Sequence, residues 1–215
     1  DAPAIGSEVE ISVTGPRRAA IQRHHTVTHL LHWALHEVVS KDATQKGSSV
    51  SPEKLSFDFN SAPLTPQQVR DIENLVNERI LANAPVSWTE VPYAEVRGRA
   101  DIMQFFGDKY GDVVRVLRAG ASTELCGGTH VTATGDIGTI KIIGESSIGS
   151  NLRRIEAVTG VNAVRYMQRN DAIVTEIAQV VGTRSEDAVA GVQKKMDDLK
   201  AAQDEIKALR AKLAI

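Results

Sequence analysis

At 215 residues, 42% of them hydrophobic and 24% charged, the chain can bury a core as one large domain or as one domain with an extension. Its formal net charge of -2 excludes a uniformly basic nucleic-acid binder, so any RNA contact has to come from a local patch. A single cysteine excludes an internal disulfide and suits a reducing, cytoplasmic setting, and no stretch reaches the roughly 20 apolar residues that span a bilayer.

The chain opens on Asp1-Ala2-Pro3, neither an initiating Met nor a signal peptide, and reads as a piece of something longer. Val9 to Val13 alternates apolar and polar side chains, which predicts a half-buried strand stopped at Gly15-Pro16. Residues 1–16 therefore read as the end of a preceding β segment. A helix is expected from Arg17, with Ile21, Leu31, Leu35 and Val38 at helical spacing and Pro16 tolerated in its first turn. Gln45 to Val50 is expected as a turn into a strand that pairs with Leu55 to Phe59. Thr65-Pro66 caps a helix to about Ala84, whose stripe is Val69, Ile72, Leu75, Val76 and Ile80. Strands are expected at Val86–Val91 and Val113–Leu117, with a short helix from Ala100 to Phe106 between them.

Ser122 to His130 reads as a loop, since the paired glycines 127 and 128 permit close backbone approach. Two more strands, Ile137–Ile143 and Leu152–Val158, are expected to join through Gly144-Glu145-Ser146-Ser147. The fold class is therefore α+β, a mostly antiparallel sheet packed with helices, followed by a C-terminal helical extension. In that extension Val161 to Val181 is helical, Gly182 breaks it, and Thr183 with Glu186 offers a capping box for a last helix. Val192, Leu199, Ile206 and Leu213 then sit seven apart, with Val189 and Met196 as companions, a seam weakened by Gln203 and Arg210 that fits a coiled-coil arm, a helical-hairpin partner or a helix packed on its own domain.

The chemistry concentrates in His25-Thr26-Val27-Thr28-His29 and Cys126-Gly127-Gly128-Thr129-His130. Residues four apart on a helix share a face, so His25 and His29 can present two imidazoles to one ion, with Cys126 and His130 completing the shell. A thiolate with three imidazoles suits one tetrahedral zinc ion better than magnesium or calcium. His32 and His36 lie near the same face, and spacing does not choose among the four helical histidines. Thr26 stands where the helical metalloproteases carry a general-base Glu, which argues against peptidase activity. Two other readings stay open: Cys126 as a nucleophile with a histidine base, and a closed zinc site that only staples loop to helix. The arginine pairs 17/18, 97/99, 115/118 and 153/154 grip phosphates only if they converge near the metal.

In order, Arg17-Arg18, His25-Thr26-Val27-Thr28-His29-Leu30-Leu31, Gln45-Lys46-Gly47-Ser48, Phe57-Asp58-Phe59, Cys126-Gly127-Gly128-Thr129-His130 and Arg153-Arg154-Ile155-Glu156-Ala157 resemble the editing domain of alanyl-tRNA synthetases. The resemblance covers about residues 7–165, and free-standing editing proteins share the metal motifs. It implies an editing domain at 17–165 with a helical, coiled-coil-like extension at 166–215, and hydrolysis of tRNA(Ala) mischarged with serine or glycine. It further implies zinc on His25, His29, Cys126 and His130, Gln45 in the editing pocket, substrate contacts at Thr26, Thr28 and Gly128, and tRNA contacts at Arg153 and Arg154. A homodimer through the C-terminal helices is expected, as are a tRNA partner and no membrane. The competing class is a zinc-stapled RNA-binding or dimerisation module without hydrolysis. No segment resembles an aminoacylation core. His24, Val27 and Ser56 depart from the family's usual Asn, Ala and Arg, the last with loss of a positive charge.

Overall fold

The computed structural model describes residues 3–104 and 110–213. The chain divides into two compact units, Asp1–Val164 and Arg165–Ile215. In chain order the elements are α1 (Gly15–Val38), β1 (Gln45–Val50), β2 (Leu55–Asn60), α2 (Pro66–Leu81), β3 (Val86–Pro92), α3 (Tyr93–Val96), β4 (Val113–Ala119), β5 (Ser122–Leu125), β6 (Ile140–Gly149), β7 (Leu152–Thr159), α4 (Val161–Val181) and α5 (Ala188–Leu213).

The first unit is a mixed α+β fold built on two antiparallel sheets, ordered β1-β2-β7-β6 and β3-β4-β5. The period-2 pattern in β2 turns Leu55, Phe57 and Phe59 inward, where they meet Leu30, Leu31 and Leu35 of α1 and Ile155 of β7 in one core. Ile72, Val76 and Ile80 bring α2 into the same core. A capping box starts α2: the Gln68 N–H donates to Thr65 Oγ1 at 3.1 Å and the Thr65 N–H to Gln68 Oε1 at 2.9 Å. Two side chains of α2 then fasten it to β6. Glu73 accepts from the Ile142 N–H at 2.7 Å, and Asn77 Oδ1 accepts from the Ile140 N–H at 3.0 Å. A smaller core of Val96, Ile102, Val114, Val116 and Leu125 lies under the three-stranded sheet.

Several elements differ from the sequence reading. Residues 7–14 pair with no strand among the described residues, and Val9, Ile11 and Val13 stay exposed, so the alternation has no sheet to face. The loop expected from Ser122 begins instead as β5, whose Leu125 pairs with Val116 and whose Ser122 pairs with Ala119. Residues 100–104 form no helix. Met103 bridges Glu124, accepting from the Leu125 N–H at 3.0 Å and donating to the Thr123 carbonyl at 2.9 Å. The rest of that expected helix, at 105–106, lies outside the described residues. Gly144-Glu145-Ser146-Ser147 does not turn: β6 runs through it with shifts in register and reverses after Gly149, where Asn151 takes a positive φ of 52°.

The second unit holds most of α4 and all of α5. Gly182 ends α4 with φ at 76°. No capping box forms at Thr183. A 3-10 turn at Ser185–Asp187 precedes α5, and Thr183 packs where a Cβ on Gly191 would meet its Cγ2 at 2.8 Å. Val189, Met196, Leu199, Ile206 and Leu213 are exposed along α5. No helix among the described residues is long and apolar enough to cross a membrane.

Candidate metal centre

Two structural routes converge on one point. α1 carries His25 and His29 on one face, and β5 delivers Cys126, whose N–H is held by the Arg115 carbonyl at 3.0 Å. The loop then doubles back to His130. Cys126 Sγ lies 3.5 Å from His25 Nε2 and 3.4 Å from His130 Nε2. The donor atoms of His25, His29, Cys126 and His130 all fall within 4.8 Å of one another. A tetrahedral site with Zn–S near 2.3 Å and Zn–N near 2.0 Å has S···N edges of about 3.5 Å, which the two Cys126 separations match. The fourth donor adds a separate argument: His29 Nε2 is buried with no hydrogen-bond partner among the described residues, a cost that an ion bound there would remove.

Electrostatics ready the thiol as a ligand and keep a proton on His29 that a metal would displace. Burial alone would raise the Cys126 thiol, but hydrogen bonds from His130 and His25 override it and hold its pKa down to about 3. Burial would lower His29, yet the charge of Glu124 prevails and raises it to about 10, while His29 in turn pulls Glu124 down.

The loop fits only because of its glycine. A Cβ on Gly128 would stand 2.0 Å from His25 Cε1. Arg115 steadies the loop from outside, reaching the Gly128 carbonyl at 3.3 Å while its guanidinium lies 4.2 Å from the centre of the Trp88 ring.

Residues 114–156 match the family described as threonyl and alanyl tRNA synthetase second additional domain, a stretch that contains Cys126 and His130. The chain is 43% identical over 212 residues to the alanine–tRNA ligase of Aromatoleum aromaticum and 46% identical over 212 residues to that of Burkholderia vietnamiensis. It belongs to the alanyl-tRNA synthetase editing-domain family. The alanine–tRNA ligase of Herminiimonas arsenicoxydans is 44% identical over 211 residues. In each case 98% of this chain is aligned, and the chain spans 24% of the relative's length.

Other residues that the family resemblance marks are placed as follows. Thr26 is fully buried and its hydroxyl is committed: it donates to the Gln22 carbonyl at 2.8 Å, accepts the Val131 N–H at 3.1 Å and lies 3.3 Å from His130 Nδ1. Thr28 donates to the His25 carbonyl at 2.6 Å. Gln45 opens β1 and donates from Nε2 to Ser48 Oγ at 3.0 Å. Arg153 and Arg154 make two-pronged pairs with Glu145 and Asp58, the latter at 2.7 and 2.8 Å, so both guanidiniums already hold carboxylates. His32 and His36 both turn Nε2 to the Ala43 carbonyl, at 3.0 and 2.7 Å, and neither joins the metal cluster.

The departures from the family are accommodated locally. His24 donates from Nδ1 to the Ser51 carbonyl at 2.7 Å and accepts the Thr159 N–H on Nε2 at 3.1 Å, one donor and one acceptor as an asparagine would offer. Val27 is part of the main core. Ser56 pairs with Glu156 across the sheet, and Lys54 supplies the cation that Glu156 meets. The residue that sequence spacing missed is Glu124, buried beside His29 and His32. Its position in β5 has no periodic relation to histidines on α1, although a lone acid two residues before the cysteine was visible.

Proposed function

We propose that residues 17–165 edit tRNA(Ala) by hydrolysing the ester that links it to serine or glycine, with His25, His29, Cys126 and His130 holding one zinc ion. The observation that carries the reading is the converged four-donor cluster in a chain of this family. Editing answers a physical need. A synthetic pocket sized for alanine cannot exclude smaller glycine, and rejecting serine by a single hydroxyl is worth only a few kcal/mol.

Bound zinc supplies Lewis-acid polarisation of a carbonyl or a bound water of lowered pKa. The chain's own residues do the rest. Thr26 fixes His130 and the backbone of Val131 beside it, Arg115 holds the Gly127-Gly128 carbonyls, and the absent side chain at Gly128 keeps the approach to His25 open. We assign Gln45, Thr28 and the Gly128 backbone to positioning the aminoacyl ester, and Arg154, the more exposed of the arginine pair, to the tRNA backbone. Residues 166–215 form the helical extension that pairs two copies through its exposed apolar row, and the reaction belongs to protein biosynthesis in the cytoplasm.

A second reading, a zinc-stapled RNA-binding module without hydrolysis, is favoured by the ligand count, because four protein donors close a tetrahedral shell. Incubation with seryl-, glycyl- and alanyl-tRNA(Ala) separates the two. Release of serine and glycine with alanine retained supports editing. Tight tRNA binding with all three esters intact supports the module.

A further inference from the structure

We propose that Glu124 is a positioning residue that aims His29 at the metal and thereby sets how tightly the site holds its ion. The inference rests on the metal-centre reading above and goes past the four ligands. Glu124 is 2% exposed, an expensive place for a carboxylate unless each oxygen has work. Both do. Oε2 accepts from His29 Nδ1 at 2.5 Å, and Oε1 accepts from Ser122 Oγ at 2.8 Å while lying 3.6 Å from His32 Nδ1.

The geometry fixes the His29 tautomer. With Nδ1–H donating to Glu124, the neutral ring carries its lone pair on Nε2, the atom left without a partner inside the cluster. A carboxylate behind a ligating imidazole both orients the ring and makes it a better donor, and its loss typically weakens metal binding about 10–100-fold. Strand register delivers the group: Glu124 pairs with Leu117 and Ser122 with Ala119, so the two lie on one face of the three-stranded sheet. The carboxylate reaches further through His32, whose Nε2 meets the Ala43 carbonyl two residues before Gln45. One buried acid thus braces a metal ligand and borders the segment that starts β1.

The test uses Zn2+ and Co2+ with the whole chain. Zn2+ affinity is measured by chelator competition for wild type, Glu124→Gln, Glu124→Ala and the exposed control Glu37→Gln, with folding checked by circular dichroism. The expected result is Zn2+ binding weakened about tenfold in Glu124→Gln and up to about 100-fold in Glu124→Ala, with Glu37→Gln unchanged. The visible bands of the Co2+ form should shift in both Glu124 variants, a change that a merely structural role leaves alone. Should Glu124→Ala fail to fold, Glu124→Gln and Ser122→Ala decide, the latter with a loss of a few-fold. Folded Glu124 variants that bind Zn2+ within about twofold of wild type, with an unaltered Co2+ spectrum, overturn the proposal. A wild type that binds no Zn2+ overturns the metal centre itself, and this inference with it.

Discussion

Gly128 lies so close to His25 that a Cβ there would stand 2.0 Å from Cε1 and 2.5 Å from Nδ1, whereas a Cβ on Gly127 would meet nothing within 4 Å. The two adjacent glycines therefore have different jobs. Gly128→Ala has to push the His25 ring out of the donor cluster, an overpacking cost of about 1–3 kcal/mol. We expect at least a tenfold loss of zinc affinity in chelator competition for Gly128→Ala, and near wild-type affinity for Gly127→Ala. Equal affinity in both would contradict the packing argument.

Zinc binding should release protons in a pH-dependent way. In the metal-free protein His29 is raised from 6.5 to about 10 beside Glu124, and Cys126 is lowered from 9.0 to about 3. At neutral pH the thiolate is thus ready, and the ion displaces about one proton, from His29. Apparent zinc affinity should climb about tenfold per pH unit between 7 and 9, and calorimetry in buffers of different ionisation heat should count that proton. The stability of the metal-free protein moves the opposite way. A raised His29 contributes fully below 6.5 and its contribution fades as pH rises through about 10. The lowered Glu124 contributes above 4.5 and fades as pH falls. Zinc affinity independent of pH from 7 to 9 would sink this picture.

Thr26 joins His130, Val131 and the Gln22 carbonyl through one hydroxyl. Thr26→Val keeps the shape and removes those bonds, leaving the Val131 N–H without its acceptor at about 1–3 kcal/mol. Tm should drop by several degrees for a chain of this size. Discrimination between seryl- and alanyl-tRNA(Ala) should persist, since the hydroxyl faces the protein. A selective loss of activity on seryl-tRNA(Ala) at unchanged Tm would return Thr26 to substrate recognition.

What could be read from the residues follows physical lines. The alternation in β2, the stripe and cap of α2, and the i, i+4 histidines on α1 were legible because each pattern is local and meets a partner surface. Val9–Val13 shows the same alternation and forms no strand, because a period says which face is apolar and not whether anything covers it. β5 was hidden by its four residues and by the glycines that follow. His32 and His36 shared the ligand face by spacing, and only the placement of the Ala43 carbonyl separates them from the cluster. Arg153 and Arg154 give no sign in the sequence of the carboxylates they hold, because only the strand register sets Asp58 across from Arg154 and Glu145 diagonally from Arg153.

The apolar row on α5 predicts self-association. Met196, Leu199 and Ile206 are each at least half exposed, a helix face that gains from a partner of its own kind. Sedimentation should show a mass that rises with concentration, and Leu199→Glu should hold the chain monomeric. A monomer at every concentration would contradict the pairing assigned to residues 166–215.

The central claim is that a zinc-bearing cluster performs editing, and it is tested by measuring deacylation and metal content on the same sample. Wild-type protein should carry one zinc and release serine from seryl-tRNA(Ala) while leaving alanyl-tRNA(Ala) intact. Cys126→Ala should lose both the zinc and the hydrolysis. A fully zinc-loaded wild type that leaves seryl-tRNA(Ala) unhydrolysed would contradict the account.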